Sequence, residues 1–194
     1  DKFHRQITEG QNEFKSYLST INRQIKDIEN LVNEFSSFAR MPSPIFKKIK
    51  IDLVIQRAVD FYKMFSKNEI YLNSKNKKNI VYADEEQLYR VFINLIKNSE
   101  DSINEKKEKN KLFMGKMNIE INNNNDCVIV SLADNGTGIE DTSKIMTPYY
   151  TTKKDGTGLG LPIVSKIINE HKGEISISNK NPGVKVVITF PESN

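Results

Sequence analysis

Asn94 and Asn98 stand four apart in a segment of helical periodicity, and two glycine-bearing runs follow, Asp134-Asn135-Gly136-Thr137-Gly138-Ile139 and Gly156-Thr157-Gly158-Leu159-Gly160-Leu161. Each residue type suggests a chemistry. The spacing of the asparagines puts both amides on neighbouring turns of one helix side, where a carbonyl oxygen is a hard, neutral ligand for a Mg²⁺ already carrying phosphate charge. Glycines two apart let the backbone turn tightly enough for a planar ring to approach, and the Asp134 carboxylate can accept a hydrogen bond from an exocyclic amine. The run from Gly156 leads into an apolar-periodic segment, so its N–H groups and the helix macrodipole together make a cradle for anions such as phosphate. Singly, each pattern has an ordinary explanation: a solvated helix amide, a turn, or a Gly-rich loop lacking the Lys-Ser/Thr ending of a P-loop.

The elements that must position these residues follow from periodicity. Phe14, Leu18, Ile21, Ile25, Ile28, Val32, Phe35 and Ala39 alternate spacings of four and three, a heptad seam that predicts a long helix burying a narrow stripe against partner helices. Met41-Pro42-Ser43-Pro44 ends it and reads as a linker. The pattern then predicts a short strand near Ile45–Ile51, a helix over about Asp52–Phe65, and a hairpin through Ile70–Leu72 and Ile80–Tyr82. Asp84 reads as the N-cap of a helix reaching about Ile103, with Leu88, Phe92, Leu95 and Ser99 on its core face and Arg90, Asn94, Asn98 and Asp101 on another. Asn104–Lys116 reads as an exposed loop. Strands at Met117–Asn122 and Cys127–Ala133, a helix over about Leu159–His171, and strands at Glu174–Ser178 and Val184–Phe190 complete the chain. Strands and helices mix without βαβ alternation, which predicts an α+β, two-layer sandwich on a mixed, mainly antiparallel sheet, preceded by the heptad helix.

Composition bounds the function classes. The 194 residues are 37% hydrophobic and 28% charged, as in a folded globular chain, and the net charge of +4 is scattered in lysine clusters among acids. No continuous basic stripe results, so nucleic acid is not an expected partner. Cys127 alone forms no intrachain disulfide and reads as a buried small hydrophobe. No stretch is long and apolar enough to span a membrane, and the start inside a charged segment suggests a piece of something longer.

In order, the helix bearing Asn98, Asp134-x-Gly136-x-Gly138, Pro148-Tyr149-Tyr150-Thr151-Thr152-Lys153 and Gly156-x-Gly158-x-Gly160 resemble the N, G1, F and G2 boxes of sensor histidine kinases, within the ATP-binding superfamily that also holds Hsp90, MutL and the gyrase ATPase domain. The resemblance covers about Ile45–Pro191. The heptad helix resembles the second helix of the kinases' dimerisation domain, and Glu34–Pro42 is similar to the nitrogen-regulation, NtrY-type group. The resemblance implies a Bergerat-type fold, with residues 1–41 a partial dimerisation domain and 42–194 the catalytic ATP-binding domain. ATP and Mg²⁺ are the implied cofactors: Asn98 matches the Mg²⁺ ligand, Asp134 the adenine-amine acceptor, Gly136 and Gly138 the close-approach glycines, and Asn94 and Asp101 neighbouring polar positions. Gly156, Thr157, Gly158, Leu159 and Gly160 match the lid near the phosphates, and Ile139, Thr152 and Lys153 complete the implied nucleotide contacts. Thr137 stands where many relatives have another small residue or Pro. Asp101 stands where many kinases carry a basic residue, which leaves Lys97 and Arg90 as candidates for a second phosphate contact.

A kinase of this kind phosphorylates a histidine in a His-Glu/Asp-x-x-x-Pro setting, and neither His4, followed by Arg5-Gln6-Ile7, nor His171, followed by Lys172-Gly173, has it. The acceptor helix is therefore expected upstream of Asp1, and this chain is expected to bind ATP without phosphorylating itself. The resemblance further implies a response-regulator receiver domain as partner, a homodimer through the heptad helix, and a cytoplasmic domain of a sensor reaching the membrane only through upstream segments. Two rival readings are an ATPase, which would want a carboxylate where Asn94 stands, and a nucleotide-regulated interaction module without transfer activity.

Overall fold

Period-two burial along four strands builds one apolar sheet face, and that face determines where everything else sits. The computed structural model describes residues 2–39, 41–74, 79–124, 127–153 and 156–191; within the first helix it describes the side chains of 13–26, 28–29, 32 and 35–36. In chain order the elements are α1 (Lys2–Ala39), β1 (Lys47–Lys50), α2 (Ile51–Lys63), β2 (Glu69–Ser74), β3 (Ile80–Ala83), α3 (Glu85–Lys109), β4 (Lys116–Asn123), β5 (Cys127–Asp134), α4 (Gly160–Glu170), β6 (Glu174–Asn179) and β7 (Val184–Pro191). The five-stranded sheet runs β2-β4-β5-β7-β6, antiparallel except for the β2–β4 pair.

Met117, Ile119 and Ile121 of β4 face the same side as Val128, Val130 and Leu132 of β5 and Val186, Ile188 and Phe190 of β7, all nearly or fully buried. Against this face pack the apolar stripes of α2 (Val54, Ile55, Ala58, Val59), α3 (Leu88, Phe92, Leu95, Ile96) and α4 (Ile163, Val164, Ile167, Ile168), forming one core. Side chains of i, i+3, i+4 spacing meeting a pleated face give the two-layer arrangement expected from the sequence. The alternation in β5 does not stop at Leu132. Asp134, two residues on, occupies the next inward position and is 5% exposed.

The segment after α1 is fastened to this unit: Met41 packs on the core, Gln87 Nε2 donates to the Pro42 carbonyl at 3.0 Å, and the Ile45 N–H donates to Asp84 Oδ2 at 2.7 Å. Asp84 also caps α3, its Oδ1 accepting from the Gln87 N–H at 2.9 Å. Along α1, the seam residues Phe14, Leu18, Ile21, Ile25, Ile28, Val32 and Phe35 are exposed; Ala39's side chain lies outside the described residues.

Cys127, expected to be buried, is only half-buried at the start of β5, its Sγ donating to Asn124 Oδ1 at 3.0 Å, and two expectations about elements fail. The hairpin through Ile70–Leu72 and Ile80–Tyr82 does not form: β2 joins the main sheet parallel to β4, with Ile70 beside Met117, whereas β3 pairs antiparallel with β1, with Val81 opposite Ile49. Each strand gains a nonlocal partner that lets its inward residue reach the core, and adjacency in sequence carries no signal of that choice. The expected loop Asn104–Lys116 is half helix, because α3 continues to Lys109 before Asn110 ends it. Glu and Lys are good helix formers, and Glu105 and Lys109 pair across one turn at 2.8 Å, so polarity there marks a solvent-facing helix.

Candidate functional site

One side of α3 is the spine of the site, each turn meeting a different loop. Asn94 Oδ1 faces Gly160, where an added Cβ would come within 3.2 Å, while its Nδ2 donates to the Arg90 carbonyl at 2.9 Å. One turn on, Asn98 Oδ1 accepts from Lys153 Nζ at 3.0 Å, and Asp101 Oδ2 takes the same ammonium at 2.8 Å. Then Ser102 Oγ accepts the Thr137 N–H at 3.0 Å, and Lys106 Nζ donates to the carbonyls of Asn135 at 2.8 Å and Gly136 at 2.9 Å. Spacings of three and four therefore carry one helical stripe from the start of α4 to the glycines after β5.

Asp134 ties that stripe to the sheet. Its Oδ2 accepts from Ser99 Oγ at 2.9 Å, and its Oδ1 accepts from the Gly136 N–H at 2.9 Å and the Val184 N–H at 3.3 Å. A carboxylate taken this far from water needs such donors, and with about four lone-pair sites it keeps one for a further donor. Gly183 makes the fit possible: its φ is +92° and a Cβ there would collide with Asp134. The loop after Asp134 is held from the far side by Asn179, whose Oδ1 accepts the Ile139 N–H at 2.8 Å and whose Nδ2 donates to the Ile139 carbonyl at 2.7 Å.

The second glycine run is joined to the aromatic stretch before it. The Tyr149 N–H donates to the Gly158 carbonyl at 3.1 Å, and at Gly158, with φ +69°, a side chain would run into the Tyr149–Tyr150 backbone. Leu159 is buried in the core at 1% exposure, Thr157 Oγ1 accepts its N–H at 3.4 Å, and Thr152 is exposed. The Gly156 N–H reaches the Lys153 carbonyl at 3.3 Å, closing a turn that presents Lys153 to α3. Leu159 at the N-cap makes no side-chain cap bond, Pro162 has no N–H and the Ile163 N–H is taken by the Leu159 carbonyl at 3.0 Å, which leaves the N–H groups of Gly160 and Leu161 as the ones that could meet an anion. Near Asp101, burial, with added negative potential from Asp101 and Glu100, pushes the Tyr62 hydroxyl up to about 12 and keeps it neutral.

The structure thus brings Asp134, Gly136, Lys153 and Gly160 against the side of α3 that carries Asn94, Asn98 and Asp101, with Gly138 and Ile139 on the loop beyond Gly136 and Gly156 and Gly158 held against the Thr151–Lys153 and Tyr149–Tyr150 segments. An open cleft of about 410 Å³ lies beside Gly136–Ile139, bounded by Lys106 and the β6–β7 turn; Asn98, Lys153 and the second glycine run do not line it. Sequence reasoning missed Ser99, Ser102, Lys106, Asn179 and Gly183. A polar residue at a core-spaced helix position, as Ser99 is, was the available signal for a buried polar partner. The donor set fits Mg²⁺ delivered with phosphate: two hard oxygens converge on one cation position, and among the described residues no group of three His, Cys, Asp or Glu comes together to hold a metal by itself.

His171 has no free nitrogen. Buried at 4% exposure, its Nε2 accepts the Asp84 N–H at 2.9 Å and its Nδ1 lies 2.7 Å from the Ile167 carbonyl. His4's side chain lies outside the described residues.

Residues 83–194 match the family described as histidine kinase-, DNA gyrase B-, and HSP90-like ATPase. A Rickettsia prowazekii protein named as an NtrY-like sensor histidine kinase is 35% identical over 97% of this chain, which spans 31% of that protein's length. The catalytic domain of histidine kinase ThkA superposes with a TM-score of 0.65 at 28% identity, covering 76% of this chain and 95% of that one. ThkA solved in complex with response regulator protein TrrA aligns with a TM-score of 0.72 at 22% identity, over 93% of this chain and 52% of that one.

Proposed function

Because the chain belongs to the family of histidine kinase-, DNA gyrase B-, and HSP90-like ATPases, we propose that it is the ATP-binding catalytic part of a sensor histidine kinase, passing the γ-phosphoryl group of ATP to a histidine on a dimerisation helix other than His4 or His171. The observation that carries this reading is the convergence on α3 of Asp134 through Ser99, the Gly136 loop through Ser102, Lys153 through Asn98, and Gly160 beside Asn94. Asp134 would accept the adenine amine, the Gly136–Ile139 backbone would pass close under the ring, and the uncapped α4 N-terminus would face phosphate oxygens. Mg²⁺ would be held at Asn98 and would neutralise phosphate charge in the transferring state. Phosphoryl transfer needs positioning and charge neutralisation rather than covalent help, and this set of groups supplies both.

Hydrolysis is disfavoured at Asn94. An amide there donates to Arg90's carbonyl and cannot take a proton from water, which a carboxylate one turn before Asn98 would do. The occupied nitrogens of His171 support an acceptor elsewhere. The exposed seam of α1 suits helix pairing in a homodimer within a dimerisation segment 1–41, the catalytic unit being 42–194. A receiver domain is the partner we infer, by analogy with ThkA and TrrA. No described helix is long and apolar enough to cross a membrane, and attachment to one would come through other segments of a membrane-anchored sensor whose cytoplasmic part this is.

Calorimetry with a non-hydrolysable ATP analogue and Mg²⁺ should show one site per chain, and incubation with ATP plus a separate acceptor domain should label that domain on histidine. Heat of binding without transfer to any acceptor would favour the interaction-module reading, and no heat at all on a folded sample would defeat both.

A further inference from the structure

We propose that Asn98 Oδ1 and Asp101 Oδ2 form a cation seat that Lys153 occupies in the nucleotide-free chain and yields to the Mg²⁺ arriving with nucleotide. The proposal rests on the nucleotide-binding reading above and adds to it a second metal-facing oxygen, Asp101, and an internal competitor, Lys153.

Residues three apart on α3 aim an amide oxygen and a carboxylate oxygen at one point, and the ammonium nitrogen sits there at 3.0 and 2.8 Å. A primary ammonium donates only, so the Asn98 amide must turn its oxygen toward the seat, which is the orientation a metal requires. The lysine is therefore a cation stand-in that keeps both oxygens converged. It is also replaceable: the side chains of Lys153 and Asp101 are 39% and 40% exposed, and an ion pair that wet is weak. A divalent ion on the same oxygens has twice the charge, so it out-competes the ammonium once phosphates complete its shell.

Displacement has a mechanical consequence. Lys153 belongs to the turn closed by the Gly156 N–H on its carbonyl and by its own N–H on Thr151 Oγ1 at 3.1 Å. With its ammonium in the seat, that turn is tied to α3. With Mg²⁺ in the seat, that tie to α3 is lost. The bond between the Tyr149 N–H and the Gly158 carbonyl does not involve the seat. Asp101, acidic where many kinases carry a base, thereby becomes the group that makes the exchange work.

The test is the ratio of ADP affinities measured by calorimetry with Mg²⁺ and with a chelator, for the full chain and two variants. Lys153→Gln removes the competitor and should raise the ratio about two- to fivefold, the share a half-exposed ion pair can hold. Asp101→Asn weakens the seat for the doubly charged ion more than for the ammonium and should lower the ratio by at least as much. In the absence of nucleotide, amide hydrogen exchange across Tyr150–Lys153 should speed up in both variants. Equal loss of affinity in both buffers for Lys153→Gln, an unchanged ratio for Asp101→Asn, or unchanged exchange would overturn the proposal. Absence of ADP binding by the wild-type chain in either buffer would defeat the nucleotide reading itself, and the seat with it.

Discussion

Ser99 Oγ donates to Asp134 Oδ2 at 2.9 Å across the interface between α3 and the end of β5, joining the residue after Asn98 to the residue at which the inward pattern of β5 ends. Asp134→Asn should separate the binding role of this carboxylate from its structural one. The change is nearly isosteric, and the Ser99 hydroxyl can rotate to accept from the new amide, so the melting temperature should stay within about 4 °C of wild type. An adenine amine would then face a mixed amide in place of a full acceptor, and ATP affinity should fall at least about tenfold. Calorimetry beside a thermal melt checks both halves. ATP affinity retained in a folded Asp134→Asn chain would remove Asp134 from the site.

Lys106 works on the same loop from the other side. Its ammonium holds the Asn135 and Gly136 carbonyls at 2.8 and 2.9 Å while lying over the Phe113 ring at 4.7 Å. Lys106→Met keeps the stem and removes both bonds. Nucleotide affinity is expected to drop about three- to tenfold, with faster amide exchange across residues 135–139 and Lys106→Arg intermediate. An unaltered affinity would show that Ser102 and Asn179 suffice to place the loop.

The main landmarks of fold and site were open to pattern reading because they are periodic or local. Asp134 follows Val128, Val130 and Leu132 at strand period, so its inward direction is written in the sequence, and Asp84 precedes a helix at which its side chain can only be a cap. What stayed hidden depends on contacts between distant segments. Asn179 meets Ile139, and Gly183 meets Asp134, across sequence separations that no local pattern encodes. The β2–β3 misreading has the same origin, since β3 is fixed by Ile49 and β2 by Met117. The helical Glu105–Lys109 stretch was concealed for a different reason: its polarity comes mostly from facing solvent, while Lys106 and, at 3.4 Å through the Thr137 hydroxyl, Glu105 turn back to the loop after Asp134.

Asp84 offers a pH-dependent prediction. Partial burial pushes its carboxyl up, but the N–H groups of Gln87, Ile45 and Glu86 outweigh this and hold it below its ordinary value of 3.8. A depressed carboxyl stabilises the fold above its unfolded value and loses that contribution as pH falls through the folded one. Asp84→Ala should therefore cost about 0.5–2 kcal/mol near neutrality, as lost helix caps do, and the gap between wild type and variant should close below pH 3.8. Urea titrations of both chains across that range give the answer, and a gap that persisted at low pH would mean the cap works through packing alone.

His171 sits where α4 ends against the start of α3, and its two nitrogens have opposite obligations. The Asp84 N–H can only donate, so Nε2 must accept; Nδ1 therefore carries the proton and donates to the Ile167 carbonyl at 2.7 Å. The ring also lies 5.0 Å from Phe46, which brings the segment before β1 into the same contact. A phosphoryl group on either nitrogen would need one of these bonds broken inside the fold. Incubation with Mg–ATP is expected to leave His171 unmodified by mass spectrometry under conditions that preserve phosphohistidine. His171→Ala leaves a buried N–H without a partner and a cavity beside Phe46, a loss of about 2–4 kcal/mol, whereas His171→Gln can restore one bond and should recover part of it. The consequence should reach the nucleotide only indirectly: ADP affinity in His171→Gln should match wild type at temperatures where both are folded. A selective loss of binding there would make this histidine part of the site, contrary to its place at the far end of α4 from Gly160.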